Sequence, residues 1–428
     1  MKEMVRRCGV AVSAALLMQG CVSFTHIQNP VEDLLQQQRP AKALEVLERR
    51  SLIGCDKVLY NLDKGMLLRM TGDFSASNAA FEAAKAAQEK VEAVSLTEQA
   101  GATVVNDSLR SYASPLFEQV MLHVYMALNF LELGNLDGAR VEMMQVDALM
   151  QDKGDKDELP FARYLAGMVF EAQGEWSDAL IAYRKAYQAY RAHGQPIPDY
   201  LKFDLLRLTE RQGLSDERAQ YEREFALKDW PTPRARQDAE LIVVVSNGLA
   251  PRKHEQAITA QDPTSGQLHR IATPFYEKRQ SSIEHVRVRV DGAIADDALM
   301  DNLAPHAEAA LAQAMPAIIA RAIARVAVKN KVSDEARQKD AVVGLITNIA
   351  GVLTERADTR GWYTLPQEIL LVRMSLPPGD YRAALELLGP GDDVRATEQL
   401  KEMRLERGQW RFVSLHWPAS RSLWRGVR

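Results

Sequence analysis

The chain has 428 residues, of which 46% are hydrophobic and 26% are charged, and its formal net charge at pH 7 is -4. These values are ordinary for a folded soluble protein, and the length allows two or three domains. Because the net charge is slightly negative, there is no overall basic field of the kind that holds nucleic acid. We therefore expect no nucleic-acid partner.

The first 20 residues follow the plan of a secretory signal. A positive start, with Lys2, Arg6 and Arg7, precedes the mainly apolar residues 8–20. That apolar run is shorter than the roughly 20 residues that a membrane-spanning helix needs. Residues 1–20 are therefore predicted to be a signal peptide. Of the three cysteines, Cys8 lies within this segment and Cys21 directly after it, which leaves Cys55 alone in the rest of the chain, so the sequence predicts no internal disulfide.

The end of this segment, Leu-Met-Gln-Gly-Cys at 17–21, resembles a bacterial lipoprotein signal. In that family the cysteine after a small residue, here Cys21 after Gly20, is lipidated and becomes the new N-terminus. Val22 is not the aspartate that retains such proteins at the inner membrane. The resemblance implies an acyl anchor on Cys21 and a place on the outer membrane of a Gram-negative cell, facing the periplasm. The alternative is an ordinary secretory signal with a chance cysteine.

Residues 160–191 have the pattern of two helices joined by a tight turn. Small and large residues alternate at helical spacing on the two facing sides, so the helices are predicted to approach closely around aromatic side chains. The positions that carry this pattern are Gly167, Phe170, Gly174, Ala179, Tyr183 and Ala186. The pattern resembles a tetratricopeptide repeat, whose period is about 34 residues.

Related units are predicted over 58–85 and 117–150, with a partial unit after Pro40 and a degenerate one over 200–221. The turn glycines are separated by 62, 40 and 39 residues, so the repeats are interrupted. We expect residues 21–230 to form a short, irregular helical solenoid whose inner face binds a protein partner. The alternative is a helical bundle with nothing bound on that face.

The pattern changes after a proline-containing linker at 229–236. Strands are predicted over 240–246, 284–291, 368–376, 381–388 and 410–416, with an edge strand over 271–277 and a hairpin between 368–376 and 381–388. Two helices, 303–330 and 341–357, interrupt them. Residues 237–428 are therefore predicted to be an antiparallel β domain with a helical insertion, which makes the whole chain α+β. Arg321, Arg325 and Lys329 argue against a membrane span in the first of these helices.

Three short stretches of the C-terminal half also resemble a known family. They are Ser-Asn-Gly-Leu-Ala-Pro at 246–251, the run at 357–369 and Leu-Pro-Pro-Gly-Asp-Tyr-Arg at 376–382. Together with the lipoprotein signal and the repeats, they resemble an uncharacterised family of bacterial periplasmic lipoproteins that contain tetratricopeptide repeats. The resemblance implies a cell-envelope setting and no particular activity.

The sequence offers few candidates for chemistry. Asp358, Arg360 and Trp362 form the best polar cluster, which is interpreted either as a site for a carboxylate or sugar or as an ion pair that fixes a turn beside a core tryptophan. Paired carboxylates for an envelope-polymer hydrolase would have to come from Asp296–Asp297 or Asp301, which are predicted to lie in a loop and at a helix start. No motif for a metal or cofactor is present, and none is expected.

We therefore expect a lipid-anchored periplasmic scaffold that is not an enzyme. It would bind envelope proteins through its repeats, in peptidoglycan synthesis or envelope assembly, and reach the membrane through its acyl anchor. A structural component of a secretion or surface-polymer export machine is the main alternative, and a peptidoglycan- or polysaccharide-processing enzyme is a third. The sequence identifies neither the partner nor the oligomeric state.

Overall fold

The computed structural model describes residues 25–49, 56–98, 111–151, 154, 158–226, 238–261, 268–339 and 356–422. Several sequence predictions lie outside this described part. They are the signal peptide with Cys21, the single Cys55, the linker at 229–236 and the second inserted helix up to residue 355. These remain predictions.

The described residues of the N-terminal half form helices that pack as consecutive hairpins. In chain order they are α1 (Thr25–Gln36), α2 (Pro40–Glu48), α3 (Lys57–Met70), α4 (Phe74–Glu98), α5 (Leu116–Glu132), α6 (Leu136–Met150), α7 (Pro160–Ala172), α8 (Trp176–Ala192), α9 (Asp199–Arg211) and α10 (Ser215–Phe225). This confirms the helical N-terminal half, including the helix predicted to start at Pro40.

The turn between α7 and α8 shows how a glycine ends the first helix of a pair. Gly174 has φ +80°, a conformation that a residue with a Cβ rarely adopts. Its N–H donates to the Glu171 carbonyl at 2.9 Å, and the Glu175 N–H donates to the Phe170 carbonyl at 2.9 Å. These bonds satisfy carbonyls that the helix end would otherwise leave unpaired.

Gly167 allows α7 and α8 to approach closely. A Cβ placed on Gly167 would lie 2.3 Å from two ring atoms of the fully buried Tyr183. We expect Gly167→Ala to destabilise the protein by about 1–3 kcal/mol, because overpacking a buried ring outweighs the gain in helix propensity of up to about 1 kcal/mol. Urea unfolding measures the change.

The double variant Gly167→Ala/Tyr183→Leu tests the cause of that loss. Shortening the ring makes room for the new methyl group, so the double variant is expected to lose less than the sum of the two single variants. Additive losses would contradict the proposed steric contact between residues 167 and 183.

The described C-terminal half consists of short strands and one long helix. The strands are β1 (Ala239–Asn247), β2 (Arg252–Gln261), β3 (Leu268–Glu277), β4 (Arg279–Ser281), β5 (His285–Val290), β6 (Ala293–Asp296), β7 (Ala298–Asn302), β8 (Glu368–Leu376), β9 (Gly379–Tyr381), β10 (Ala383–Gly389), β11 (Asp393–Gln399), β12 (Met403–Leu405), β13 (Trp410–Trp417) and β14 (Ser420–Ser422). The helix is α11 (Leu303–Lys339), and a short 3₁₀ turn, Pro390–Asp392, joins β10 to β11.

Two four-stranded sheets organise these strands, with the orders β13-β1-β8-β7 and β11-β10-β5-β6. Three two-stranded pairs complete the described part: β2-β3, β9-β12 and β4-β14. The prediction of a purely antiparallel sheet is wrong, because β1 runs parallel to β13. The predicted hairpin of 368–376 with 381–388 is also wrong. β8 pairs with β1 and β7, whereas β10 pairs with β5 and β11, so the two strands belong to different sheets.

The first sheet, β13-β1-β8-β7, lies between the helices and the second sheet. Leu241, Val243 and Val245 of β1 belong to a hydrophobic cluster that they share with the second sheet. The alternate residues Ile242 and Val244 belong to a cluster that they share with the helices. Both faces of β1 are therefore buried, which explains why residues 241–245 are all apolar instead of alternating. In β5, by contrast, Val286, Val288 and Val290 are buried and the arginines between them are not, as predicted.

α11 begins at the predicted residue, Leu303, but continues to Lys339, beyond the predicted end at Asn330. Its first 23 residues, Leu303–Arg325, have the length and apolar composition that a membrane crossing requires, and 17% of the most apolar window is buried. The sequence argument against such a span, based on Arg321, Arg325 and Lys329, is therefore too strict. His306 and Ala307 in the first turns are buried.

The helical layer packs directly on the first sheet. One hydrophobic cluster contains Phe81 and Tyr125 from the helices together with Ile242, Trp362 and Phe412 from the C-terminal half. The expectation that the inner face of the repeats is open to a partner is therefore wrong over these residues. That face is covered by the chain's own sheet and by the segment that leads into it.

Candidate functional site between helices and sheet

Residues 357–367, here called the strap, lead into β8 across the helical surface. Trp362 lies at its centre and is 1% exposed. Its ring makes edge-to-face contacts with Phe81 at 5.9 Å and Tyr125 at 6.3 Å between ring centroids. Aromatic pairs in this arrangement add about 0.5–1.5 kcal/mol to the effect of burial alone. Trp362 is thus an anchor between the two halves of the chain.

Side chains of the helices bind the strap before, at and after this anchor. Gln28 of α1 donates to the Gly361 carbonyl at 2.8 Å, and Glu118 of α5 accepts from the Trp362 N–H at 3.2 Å. Thr364 donates its hydroxyl to Asp63 of α3 at 2.8 Å. Three different helices therefore bind three consecutive parts of the strap.

Arg360 joins the predicted polar cluster to the helical half. Its guanidinium pairs with Asp358 at 2.7 Å and with Asp56, just before α3, at 3.0 Å. The Arg360 side chain is 3% exposed. The structure thus brings Asp358, Arg360 and Trp362 together at the interface between the two halves, where the ion pair and the tryptophan serve packing.

A buried amine lies beside the strap. Lys253 of β2 donates to the Arg360 carbonyl at 3.0 Å, and burial lowers the pKa of its amine. Burial also raises the pKa of the Glu118 carboxyl, although nearby Lys253 and a hydrogen bond from Tyr112 act against that rise. The opposite shifts have one cause, because the charged form of either group loses hydration in this interface.

Asp63 is the carboxyl whose protonation is most altered at this site. Burial raises its pKa to about 7, although hydrogen bonds from Thr364 and Gln28 act in the opposite direction and Glu118 adds to the rise. In the unfolded chain the group titrates near 3.8. Between pH 4 and 7 the folded state therefore binds more protons than the unfolded state, and stability falls as the pH rises.

We expect Asp63→Asn to remove this part of the pH dependence. Between pH 4 and 7, the free energy of unfolding of the native protein should decrease relative to that of the variant by up to about 1.4 kcal/mol per pH unit. Urea unfolding at several pH values measures both curves. The exposed carboxylate Asp178 of α8 provides the matched control, Asp178→Asn. Parallel curves for Asp63→Asn and the native protein would contradict the assignment.

A second polar cluster joins the other end of the helical layer to the sheet. Arg373 of β8 pairs with Asp204 of α9 at 2.8 Å and with Glu240 of β1 at 2.6 Å, and Tyr164 of α7 donates to Asp204 at 2.9 Å. Burial alone would raise the pKa of Asp204, but the guanidiniums of Arg373 and Arg207 outweigh it and lower that pKa. The buried carboxylates of Asp204 and Glu240 thus share the Arg373 guanidinium.

Between these clusters, further polar contacts cross the interface. Arg69 of α3 donates to Ser414 and, at 3.0 Å, to His416 of β13. Tyr125 of α5 lies 3.0 Å from the Ser246 hydroxyl of β1. Burial and the nearby Arg69 cation lower the pKa of His416, so this imidazole is held neutral.

The carboxylates considered for a hydrolase each have a structural partner. Asp296 ends β6 and pairs with Arg287 at 2.5 Å, while Asp297 accepts from the Val286 N–H at 2.8 Å. Asp301 belongs to β7, not to a helix start, and is hydrogen-bonded to His306 at 3.0 Å. Within the described ranges, no group of three or more His, Cys, Asp or Glu side chains is placed to hold a metal ion.

Sequence reasoning missed the helical residues that hold the strap and β8. Gln28, Asp63, Glu118 and Asp204 are polar, yet the structure buries all four. The signal was available in part, because Asp63 and Glu118 stand among apolar residues of α3 and α5. A carboxylate in such a position indicates a specific partner, but only the fold shows that the partner is the distant strap.

No protein-family model matches this chain, and no curated protein matches it. Solved structures of MamA are similar to about half of it. A "MamA RS-1 ArsTM double mutant" is 14% identical, covers 48% of this chain and 92% of its own, and has a TM-score of 0.31. "MamA AMB-1 P212121" is 13% identical, with coverages of 49% and 93% and a TM-score of 0.31. "MamA 41-end from Desulfovibrio magneticus RS-1" is 14% identical, with coverages of 48% and 93% and a TM-score of 0.31.

Proposed function

We propose that this protein is a lipid-anchored periplasmic scaffold for other cell-envelope proteins, acting in peptidoglycan synthesis or envelope assembly. Since its own sheet covers the inner face of the helical hairpins, the partner is assigned to their outer face. The observation that carries this proposal is a pair of exposed apolar residues, Val141 and Ile181, at equivalent positions of successive hairpins. Each stands seven residues after its turn glycine, and they are 52% and 47% exposed.

The surroundings of these residues support a binding role. Met144, one helical turn from Val141, is 48% exposed, so α6 presents two apolar side chains on the same side. Single exposed apolar residues are common on soluble proteins, whereas neighbouring ones at repeated positions are typical of contact surfaces. Lys185 pairs with Asp147 at 2.5 Å and so joins α8 to α6, which fixes the two helices relative to each other.

Site-specific photo-cross-linking in cells tests the outer face. A photoreactive residue at position 141 or 181 should give discrete protein adducts from the envelope. The matched control is Gln220, which is also exposed and stands seven residues after its turn glycine, but is polar. Adducts at 141 and 181 but not at 220 support the proposal. Equal labelling at the three positions, or none, contradicts it.

The anchor has its own test. In Cys21→Ser the thiol that would carry the acyl chains is gone, so the protein should leave the membrane fraction and lose metabolic palmitate label. Each buried methylene of an acyl chain contributes about 0.8 kcal/mol to membrane binding, so the loss should be nearly complete. A Cys21→Ser protein that still sediments with membranes contradicts the anchor.

A further inference from the structure

The two ends of the interface differ in how well their polar groups are satisfied. At the strap end, three buried atoms have no hydrogen-bond partner in the described part of the chain: Gln28 Oε1, Trp362 Nε1 and Gln367 Oε1. At the other end, within the same described part, the buried polar atoms of Asp204 and Arg373 are not among the unpartnered ones. An unpaired buried polar atom costs about 1–3 kcal/mol. The strap end is thus the weaker contact.

At its centre, the strap is held by the helices, whereas its end before β8 is bonded to the sheet half, where the Gln367 N–H donates to the Asn247 carbonyl at 3.0 Å. Side chains of Gln28 and Glu118, not neighbouring strands, bind its Gly361 carbonyl and Trp362 N–H. Its buried side chains include Trp362 and Arg360, which are 1% and 3% exposed and are of the types that most often dominate the affinity of protein interfaces. Helical side chains thus recognise a run of residues that lies outside the strands and that turns at 363–364.

A small cavity lies next to the strap. It is lined in part by Gln28, Asp63, Tyr363 and Thr364. Gln28 is 3% exposed, so its free Oε1 cannot be satisfied by bulk water. A ligand segment that placed a donor at this oxygen would satisfy an acceptor that the strap leaves unpaired.

We propose that the strap is a displaceable internal ligand, and that the surface of α1, α3, α4 and α5 beneath it binds a protein segment with an arginine two residues before a tryptophan. Asp56 receives the arginine, and Phe81 and Tyr125 receive the indole. Because the strap is tethered, its effective concentration is on the order of millimolar, and it masks this surface until it is released. The inference does not depend on the anchor at Cys21 or on the outer face.

Peptide binding to the full chain tests the proposal. The probe is a fluorescent peptide of residues 356–367, and its control replaces the tryptophan with alanine. Fluorescence anisotropy should show at least tenfold tighter binding of the probe to Trp362→Ala than to the native protein, with no binding of the control. A folded Trp362→Ala protein that ignores the probe overturns the proposal. If that variant does not fold, Arg360→Gln takes its place with the same two outcomes.

Hydrogen exchange on the native protein is a second test of the proposal and needs no variant. A displaceable strap opens without global unfolding, so the amides of residues 360–364 should exchange at least tenfold faster than those of β1. Exchange of the strap amides at the same slow rate as β1 would show that the strap leaves only when the whole fold opens, and would overturn the proposal.

Discussion

Trp362→Ala is expected to destabilise the protein by about 3–5 kcal/mol, measured by urea unfolding at neutral pH. The substitution removes the largest fully buried side chain of the interface and its contacts with Phe81 and Tyr125. The indole N–H has no partner among the described residues, so its removal gives back about 1–3 kcal/mol, which places the net loss toward the lower end of the range.

Two further variants separate the loss of ring packing from the gain of removing the unpartnered N–H. Trp362→Phe keeps an aromatic ring in the pocket and removes the unpartnered N–H, so it should cost less than half as much as Trp362→Ala. Trp176→Ala removes the same side chain from the start of α8, where the ring is half-buried and stacks on Arg211 at 3.9 Å. A loss as large for Trp176→Ala as for Trp362→Ala would show that Trp362 is not a particular anchor of the interface.

The helices were readable from sequence because their determinants are local. The turn glycines, the small residues and the aromatic residues of 160–191 act within one hairpin, as the contact of Gly167 with Tyr183 shows. β1 and β8 were also placed within a residue or two of their observed ends, because their apolar runs are continuous and bounded by turn residues.

Which strands pair with each other was harder to predict than where strands occur in the sequence. The Pro-Pro-Gly-Asp run after β8 indicates a tight turn, and a hairpin is the usual consequence of such a turn. Here the turn carries the chain from the first sheet to the second, and β10 pairs with β5, nearly 100 residues earlier. The parallel pairing of β1 with β13 likewise joins strands that are far apart in the sequence. Both contacts are set by which apolar faces remain to be covered, and no short stretch of sequence holds that information.

The candidate site shows the same limit. Asp358, Arg360 and Trp362 stood out from the sequence because they are close together in it. The groups that give them a role, Asp56 and Glu118, are more than 200 residues away. An ion pair beside a core tryptophan was one of the two interpretations of this cluster, but its place between the helical and sheet halves was not predicted.

Arg373→Met should be about as costly as the loss of Trp362, for an electrostatic reason. The substitution keeps the volume but takes a buried cation from Asp204 and Glu240, at 2.8 and 2.6 Å. Removing one partner of a buried ionic cluster costs about 3–5 kcal/mol, because the remaining charge stays buried. Urea unfolding measures the loss. The matched control is Arg289→Met, which breaks a more exposed pair with Glu386 and should cost less than about 1 kcal/mol.

If Arg373 stabilises the protein through its charge, two further results are expected. Arg373→Met/Glu240→Gln should be more stable than Arg373→Met alone, since it also removes the acid left without this cation. Because the pKa of Asp204 is lowered in the folded state, its contribution is present at neutral pH and is lost as the pH falls below the ordinary value of 3.8. The native protein should therefore lose more stability on acidification than Arg373→Met does. Equal acid sensitivity, or no recovery in the double variant, would mean that Arg373 acts by packing and not by charge.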